Sequence, residues 1–221
     1  MTVKNKTHQL TLMAMFAALA YILMVVGRLP ISTVSFLKYD PKDVILVISG
    51  FVLGPMPALL VTVVVSLIEM LTVSSTGIIG LIMNVLSSAG FACTAAVIYK
   101  KRHSLKGAAL GLVLGVVTMV VLMLLWNYFI TPYYMGYPRE AVAAMLVPVF
   151  LPFNLIKGAL NAAIAMLIYK SISRALRRAG LMESTAGGQA PEKKSVVGAM
   201  LVAALVLVSC IFAVLIMKGI L

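Results

Sequence analysis

Residues 108–130 read AALGLVLGVVTMVVLMLLWNYFI, a run of 23 residues without one charged side chain. A helix needs roughly 20 consecutive apolar residues to cross the hydrocarbon core of a bilayer, so this run predicts a transmembrane helix. The whole chain has the same character: 62% of its residues are hydrophobic, 11% are charged, and the mean hydropathy is +1.11. Soluble domains are nearer half apolar and a quarter charged. The composition therefore excludes a soluble globular fold.

Apolar runs on both sides of this stretch predict further helices. They cover residues 10–27, 44–53, 58–73, 78–99, 151–169 and 196–217. We predict an all-α membrane protein, in which a six-helix bundle occupies residues 1–178 and a seventh transmembrane helix lies within 196–221. The segment 179–195 between them is rich in Ser, Gly, Ala and charge, as flexible linkers are. The run 44–53 is short for a bilayer, so we expect it to be tilted or partly outside the core.

The basic residues predict the orientation of the bundle. With a cytoplasmic N-terminus, 12 of the 18 lysines and arginines fall on the cytoplasmic side. They are Lys4, Lys6, Lys100, Lys101, Arg102, Lys106, Lys170, Arg174, Arg177, Arg178, Lys193 and Lys194. Basic clusters beside spans are typical of cytoplasmic loops, so the net charge of +12 indicates membrane topology and not a nucleic-acid partner. Connections 28–43 and 131–150 are then extracellular, and the second is irregular before it turns apolar.

Polar side chains inside the predicted spans indicate a cavity. A charged side chain at the bilayer centre costs about 2.5–3.5 kcal/mol, so it normally faces a bundle interior. Asn154, Lys157 and Asn161 are spaced three and four apart and share one helical face. We favour a stripe that lines a ligand cavity open to the outside. In the alternative, Lys157 extends to the membrane surface and the asparagines join neighbouring helices.

Two more asparagines and one acid lie in other spans. Asn127, near the outer end of its span, and Asn84, in the outer half of another, are expected to point into the same cavity. Glu69 has no obvious partner in the sequence. We favour a helix–helix hydrogen bond for Glu69 over a role in proton coupling.

The first extracellular loop brings further polar groups to the mouth of this cavity. They are Lys38, Tyr39, Asp40, Lys42 and Asp43. We expect the charged members to be solvated, as charges in loops usually are. Asp40 followed by Pro41 also matches a helix N-cap with proline at the first helical position.

Small residues four apart let helices approach closely. Ala14 and Ala18 form such a face on the first helix, and Gly107, Gly111 and Gly115 repeat the spacing on the fifth. Internal packing is the default explanation, particularly for the glycines.

Several kinds of chemistry are not expected. The chain has no phosphate-binding P-loop, so we do not expect it to hydrolyse nucleotide. It shows no zinc or serine-hydrolase pattern, and Cys93 and Cys210 lie in apolar helices as packing residues. We therefore predict no enzyme, no metal site and no cofactor. No persuasive inverted repeat supports a self-sufficient secondary transporter, which stays as an alternative.

Five stretches together resemble riboflavin-specific substrate-binding subunits of energy-coupling factor (ECF) vitamin transporters. They are FLKYDPKD at 36–43 with GFVLGP at 50–55, WN at 126–127 with PYY at 132–134, and LPFNLIKG at 151–158. The similarity covers roughly residues 8–175. The later motifs are fairly specific for this family when they occur together, whereas each one alone is weak evidence.

The resemblance implies a six-helix subunit of a prokaryotic cell membrane that captures riboflavin near the extracellular face. It implies a transmembrane coupling subunit and two cytoplasmic ATPases as partners, with Ala14 and Ala18 facing the coupling subunit. The implied vitamin contacts are Leu37, Lys38, Tyr39, Asp40, Asn84, Asn127, Asn154 and Lys157. The seventh span departs from the six-helix pattern. A subunit for another vitamin or small heterocycle is the alternative within this class.

Overall fold

The computed structural model describes residues 6–30, 37–178 and 193–217, and these are almost entirely helical. The helices are α1 (Lys6–Gly27), α2 (Lys42–Leu53), α3 (Pro55–Thr72), α4 (Gly77–Lys101), α5 (Leu105–Phe129), α6 (Thr131–Met135), α7 (Arg139–Met145), α8 (Leu151–Arg178) and α9 (Lys193–Met217). Strands β1 (Leu29–Pro30) and β2 (Lys38–Tyr39) pair antiparallel. The predicted linker falls mainly on residues 179–192, outside the described residues.

Within the described ranges, five helical stretches are long and apolar enough to cross a membrane. They are Lys6–Gly27, Pro55–Thr72, Gly77–Lys101, Leu105–Phe129 and Arg139–Tyr169. The apolar part of α9, Met200–Leu215, is shorter. The predicted all-α membrane fold is confirmed.

Helix α2 is the buried centre of the bundle. It has 12 residues, so it is about 18 Å long and too short to cross the roughly 30 Å hydrocarbon core. Every residue from Lys42 to Val52 is buried, because α1, α3, α4 and α8 all pack around it. A helix enclosed on all sides is expected to be apolar all round, and α2 is so except at Ser49 and at its first two residues.

Those two residues correct one sequence-based expectation. Lys42 and Asp43 were expected to be solvated loop charges, but both are completely buried at the start of α2. The expectation was wrong because α2 begins inside the bundle and not at its surface. The N-cap expectation is wrong by one residue: Pro41 is the N-cap and the helix begins at Lys42, although Asp40 Oδ1 accepts a hydrogen bond of 3.1 Å from the Lys42 backbone amide.

The glycine pattern of α5 serves internal packing, as predicted. A Cβ atom on Gly111 would lie 2.7 Å from the carbonyl oxygen of Ala95, and one on Gly115 would lie 2.6 Å from that of Phe91. Both distances are shorter than Cβ atoms tolerate. The glycines therefore allow α5 to lie directly against the backbone of α4.

The connection from α5 to α8 is more regular than predicted. Helices α6 and α7 are separated by Gly136, whose φ of 67° is left-handed and suits glycine. Residues 146–150 form a π-helical turn that leads directly into α8. Pro148 lies in this turn and lacks an amide hydrogen, which interrupts the α-helical bonding pattern and accounts for the wider turn.

Helix α9 packs along α8. Cys210 lies buried against Leu160 of α8 and against Tyr39 of β2. It is a packing residue here, as predicted from its place in an apolar run. The opposite side of α9 is exposed and apolar, for example at Leu205 and Val208.

Candidate functional site

A cavity opens at one end of the bundle, where α1, α3 and α5 end and where α2, α4 and α8 begin. The β1–β2 hairpin lies at the same end, which we call the hairpin end. The cavity holds about 710 Å³ of empty space, counting the part that opens to solvent. Besides the predicted residues, its polar lining includes Arg28, Ser74, Ser75, Thr76 and Ser87.

Seven of the eight predicted ligand contacts lie around this one cavity. They are Leu37, Lys38, Asp40, Asn84, Asn127, Asn154 and Lys157. They come from the first connection and from α4, α5 and α8, so the fold joins residues up to 120 positions apart (Leu37 and Lys157). Lys38 is exposed and Asn84 half-buried, whereas the other five are buried.

Tyr39 is the predicted contact that does not line the cavity. Because side chains alternate along a strand, Tyr39 points to the opposite side of β2 from Lys38. Its hydroxyl donates a hydrogen bond of 2.9 Å to Asn161 Oδ1, and its ring packs against Leu160 and Cys210. Tyr39 therefore anchors the hairpin to α8 instead of facing the cavity.

Asn161 also lies below the cavity and not in its wall. Its side-chain amide donates to the backbone carbonyl of Asp40 at 3.2 Å, and it lies 3.5 Å from Asp43 Oδ2. The predicted stripe on α8 thus has two parts. Asn154 and Lys157 line the cavity, whereas Asn161 fixes the loop that closes it.

The two buried asparagines of the lining are held in place by their own helices. The Nδ2 atom of Asn127 donates to the Met123 carbonyl at 2.6 Å, and that of Asn154 donates to the Phe150 carbonyl at 2.7 Å. Thr131 donates to Asn127 Oδ1 at 2.9 Å. Each amide group carries two N–H donors, and these bonds use one of them. The second is available to a ligand.

Lys157 points into the bundle and does not extend to the membrane surface. Its Nζ atom lies 3.2 Å from Asp43 Oδ2 and 3.5 Å from Ser87 Oγ. Asp43 also accepts a hydrogen bond from Ser88. The ammonium is therefore fixed at the floor of the cavity, as the cavity interpretation of the α8 stripe requires.

A second set of buried charges was not predicted. Lys42 Nζ lies 2.6 Å from Asp40 Oδ2 and 2.5 Å from Glu69 Oε2, and Glu69 Oε1 pairs with a terminal nitrogen of Arg28. Glu69 thus has charged partners in place of the simple helix–helix hydrogen bond that the sequence favoured. One feature of the sequence points to these buried charges: acidic and basic residues occur together in the segments near this end of the bundle.

Together, these groups form a charge cluster beneath and beside the cavity. Its members are Arg28, Asp40, Lys42, Asp43, Glu69 and Lys157. Three are cations and three are anions, so the cluster is neutral overall. Buried charges persist in proteins when each has an opposite partner and hydrogen bonds, and every member here has such a partner.

The pairing also fixes protonation in the loop. Burial alone would raise the pKa of the Asp40 carboxyl, but the Lys42 and Lys157 ammonium groups outweigh it and lower that pKa below its usual value. Burial, with the nearby carboxylates of Asp43 and Asp40, raises the pKa of the Tyr39 phenol far above its usual value. At neutral pH, Asp40 is therefore anionic and Tyr39 is a neutral hydrogen-bond donor.

Comparison with known proteins agrees with this architecture. A riboflavin transporter of Bacillus subtilis, FmnP, is 28% identical over 173 residues, which cover 74% of this chain and 91% of that protein. A riboflavin transporter of Staphylococcus aureus, RibU, is 29% identical over 181 residues, which cover 79% of this chain and 95% of that protein. A solved S component of a bacterial ECF transporter has a TM-score of 0.69 at 28% identity, covering 79% of this chain and 100% of that one.

The family itself is identified by a match that covers most of the bundle. The ECF transporter, substrate-specific component family matches residues 8–169. Helix α9, at Lys193–Met217, lies outside that match. The resemblance seen in the sequence motifs is confirmed: this chain belongs to the family of substrate-specific components of ECF transporters.

Proposed function

We propose that this chain captures riboflavin in the cavity at the hairpin end and delivers it to an ECF module for uptake driven by ATP hydrolysis. One observation carries the proposal: seven polar and apolar residues from four separate segments converge on a single cavity. The names of the relatives, which are riboflavin transporters at 26–29% identity, support the choice of ligand.

The chemistry of the lining suits this ligand. Riboflavin has a flat, largely apolar ring system with a hydrogen-bonding edge, and it carries a neutral polyhydroxylated chain. Such a ligand needs an apolar slot with a few fixed polar groups. Leu37, Met83, Met123 and Phe153 supply apolar lining. Asn84, Asn127, Asn154 and Lys157 supply donors and acceptors to the edge and the hydroxyls.

The coupling surface is proposed on α1. Ala14 and Ala18 are exposed, whereas Ala17 and Ala20, on the same helix, are buried in the bundle. The first pair therefore does not pack the chain's own core, and its small side chains leave room for a partner helix. We assign this face to a transmembrane coupling subunit that works with two cytoplasmic ATPases. The chain supplies recognition, and ligand occupancy favours one state of the complex.

We further propose that the protein lies in the cell membrane with its N-terminus in the cytoplasm and the hairpin end outside. The distribution of basic residues supports this orientation. Helix α9 has 25 residues and is about 37 Å long, which is enough to cross a bilayer as an additional helix after the segment 179–195. Its exposed apolar side would face lipid.

The test is a riboflavin titration of the purified protein, following both Trp126 and flavin fluorescence. Trp126 is the sole tryptophan and directly precedes Asn127 of the lining. Saturable one-to-one quenching by riboflavin, and none by thiamine or pantothenate, is the expected result. Binding of a control vitamin instead would make this a subunit for another vitamin. Uptake by this chain alone in liposomes would indicate a secondary transporter.

A further inference from the structure

Glu69 lies outside the cavity but forms ion pairs with two cations that connect it to the cavity lining. It is completely buried near the end of α3 and is not part of the cavity lining. One carboxylate oxygen pairs with Arg28 and the other with Lys42. Each of these cations is linked to the lining. Arg28 lines the cavity itself, and Lys42 Nζ lies 2.6 Å from the Asp40 carboxylate, which also lines it.

The two links fall on the two ends of one loop. Arg28 directly precedes strand β1, and Asp40 directly follows strand β2. The β1–β2 hairpin is therefore tied at its start to Glu69 and at its end, through Lys42, to the same carboxylate. A two-residue ladder is too short to hold a hairpin by itself. The hairpin needs such external ties to keep Leu37 and Lys38 over the cavity.

Charge is what makes Glu69 effective in this position. Among the described residues, Glu69 is the ion-pair partner of Arg28, whose Nε atom is buried without a hydrogen bond. Without the carboxylate, the buried Lys42 would keep only Asp40 as an ion-pair partner among the described residues, and the part-buried Arg28 would keep none. Uncompensated buried charge is strongly unfavourable, so the loop would shift to hydrate the cations.

We infer that Glu69 is a positioning residue for ligand capture: it holds Arg28 and, through Lys42, Asp40, and thereby keeps Leu37 and Lys38 in the cavity lining. The expected effect of Glu69 on riboflavin affinity rests on the proposed function. The expected effect of Glu69 on the hairpin does not depend on any ligand.

The test compares Glu69→Gln with Ser66→Ala in the full chain. Gln keeps the size of the side chain and removes its charge. Ser66 lies one turn earlier on the same helix and is equally buried, and its hydroxyl has no hydrogen-bond partner in the part of the chain that the structure describes. Two quantities are measured: the riboflavin Kd, and backbone hydrogen exchange of the ligand-free protein by mass spectrometry.

For Glu69→Gln we expect the riboflavin Kd to rise about tenfold or more, with faster exchange at residues 28–29 and 37–40 and unchanged exchange in α4 and α5. Ser66→Ala should change neither quantity. Normal affinity with unchanged loop exchange would overturn the inference, as would faster exchange throughout the bundle, which indicates a purely structural role.

The two proposals fail in different ways. If the wild-type protein does not bind riboflavin, the proposed ligand is wrong, but local exchange at the hairpin still tests Glu69. If Glu69→Gln does not yield folded protein, Glu69→Asp is measured in the same way. Asp keeps the charge but is one methylene shorter and cannot reach both cations, so the same localised loosening of residues 28–29 and 37–40 is expected.

Discussion

Lys157 of α8 and Asp43 of α2 form a buried ion pair, with 3.2 Å between Nζ and Oδ2. The pair has two roles, because Lys157 lines the cavity while Asp43 lies beneath it. It connects α8, which supplies Asn154 and Lys157 to the lining, to the helix at the centre of the bundle. Substitutions at this pair therefore affect both stability and binding, and the two effects can be separated.

Lys157→Met should lower the free energy of unfolding by about 3 kcal/mol, because it leaves Asp43 buried without its cation. It should also weaken riboflavin binding by at least about 1 kcal/mol. Adding Asp43→Asn removes the uncompensated charge, so the double variant should recover thermal stability in detergent but not affinity. Recovery of both would mean that Lys157 does not contact the ligand.

Asn127→Ala should weaken riboflavin binding by about 1 kcal/mol or more, because Asn127 lines the cavity and its amide has a second N–H besides the one that binds Met123. Thr118→Ala is the matched control, since Thr118 is on the same helix, lies outside the cavity lining, and donates its hydroxyl hydrogen to the Leu114 carbonyl at an exposed position. Isothermal titration calorimetry measures both. Equal affinities for the two variants would remove Asn127 from the site.

Tyr39→Phe should reduce stability and leave affinity nearly unchanged. The substitution removes the 2.9 Å hydrogen bond to Asn161, worth about 0.5–1.5 kcal/mol, from a residue outside the cavity lining. Tyr21→Phe, which removes an exposed hydrogen bond to Thr72, serves as the control in the thermal-shift measurement. A tenfold loss of riboflavin affinity would show that Tyr39 acts on the ligand, either directly or through the hairpin that it anchors.

Ala14→Leu combined with Ala18→Leu should abolish uptake by the reconstituted complex while sparing riboflavin binding. Both positions are exposed on α1, so bulk there obstructs a partner helix and not the chain's own core. Val121→Trp, at an exposed position of α5, is the control for added bulk on the membrane-facing surface. If the Ala14→Leu, Ala18→Leu variant also loses riboflavin binding, the two alanines pack within the chain's own fold and do not form a partner surface.

Cys210→Trp should lower the thermal stability, because the larger ring overlaps Leu160 and Tyr39 at the contact between α9 and the bundle. Overpacking of this kind costs about 1–3 kcal/mol. Val208→Trp, on the exposed side of α9, should have no such effect. Equal stability of the two variants would mean that α9 does not pack on α8 in the membrane.

The helices and much of the cavity lining were predictable because they depend on local patterns. Apolar runs of bilayer length gave the spans, and the three- and four-residue spacing on α8 placed Asn154 and Lys157 on one face. The position of Tyr39 was not predictable in this way. Its orientation depends on β2, a strand of two residues that has no sequence signature.

The charge cluster could not be predicted for a different reason. Glu69 lies 41 residues from Arg28 and 27 residues from Lys42, and nothing in an apolar run tells which side of the helix faces inward. Lys42 and Asp43 looked like loop residues because they follow a proline-containing polar stretch. Lys42 and Asp43 are buried because α2 begins deep inside the bundle. That position is set by the packing of four other helices around α2.

The burial of α2 also has a consequence for how the protein is made. Its first two residues carry charges whose partners, Glu69 and Lys157, belong to α3 and α8. During synthesis, α2 emerges well before α8, and a short helix with an unpaired aspartate is poorly accommodated in lipid. We therefore expect α2 to reach its final depth only after α8 has been inserted, so that the centre of the bundle is among the last parts to be assembled.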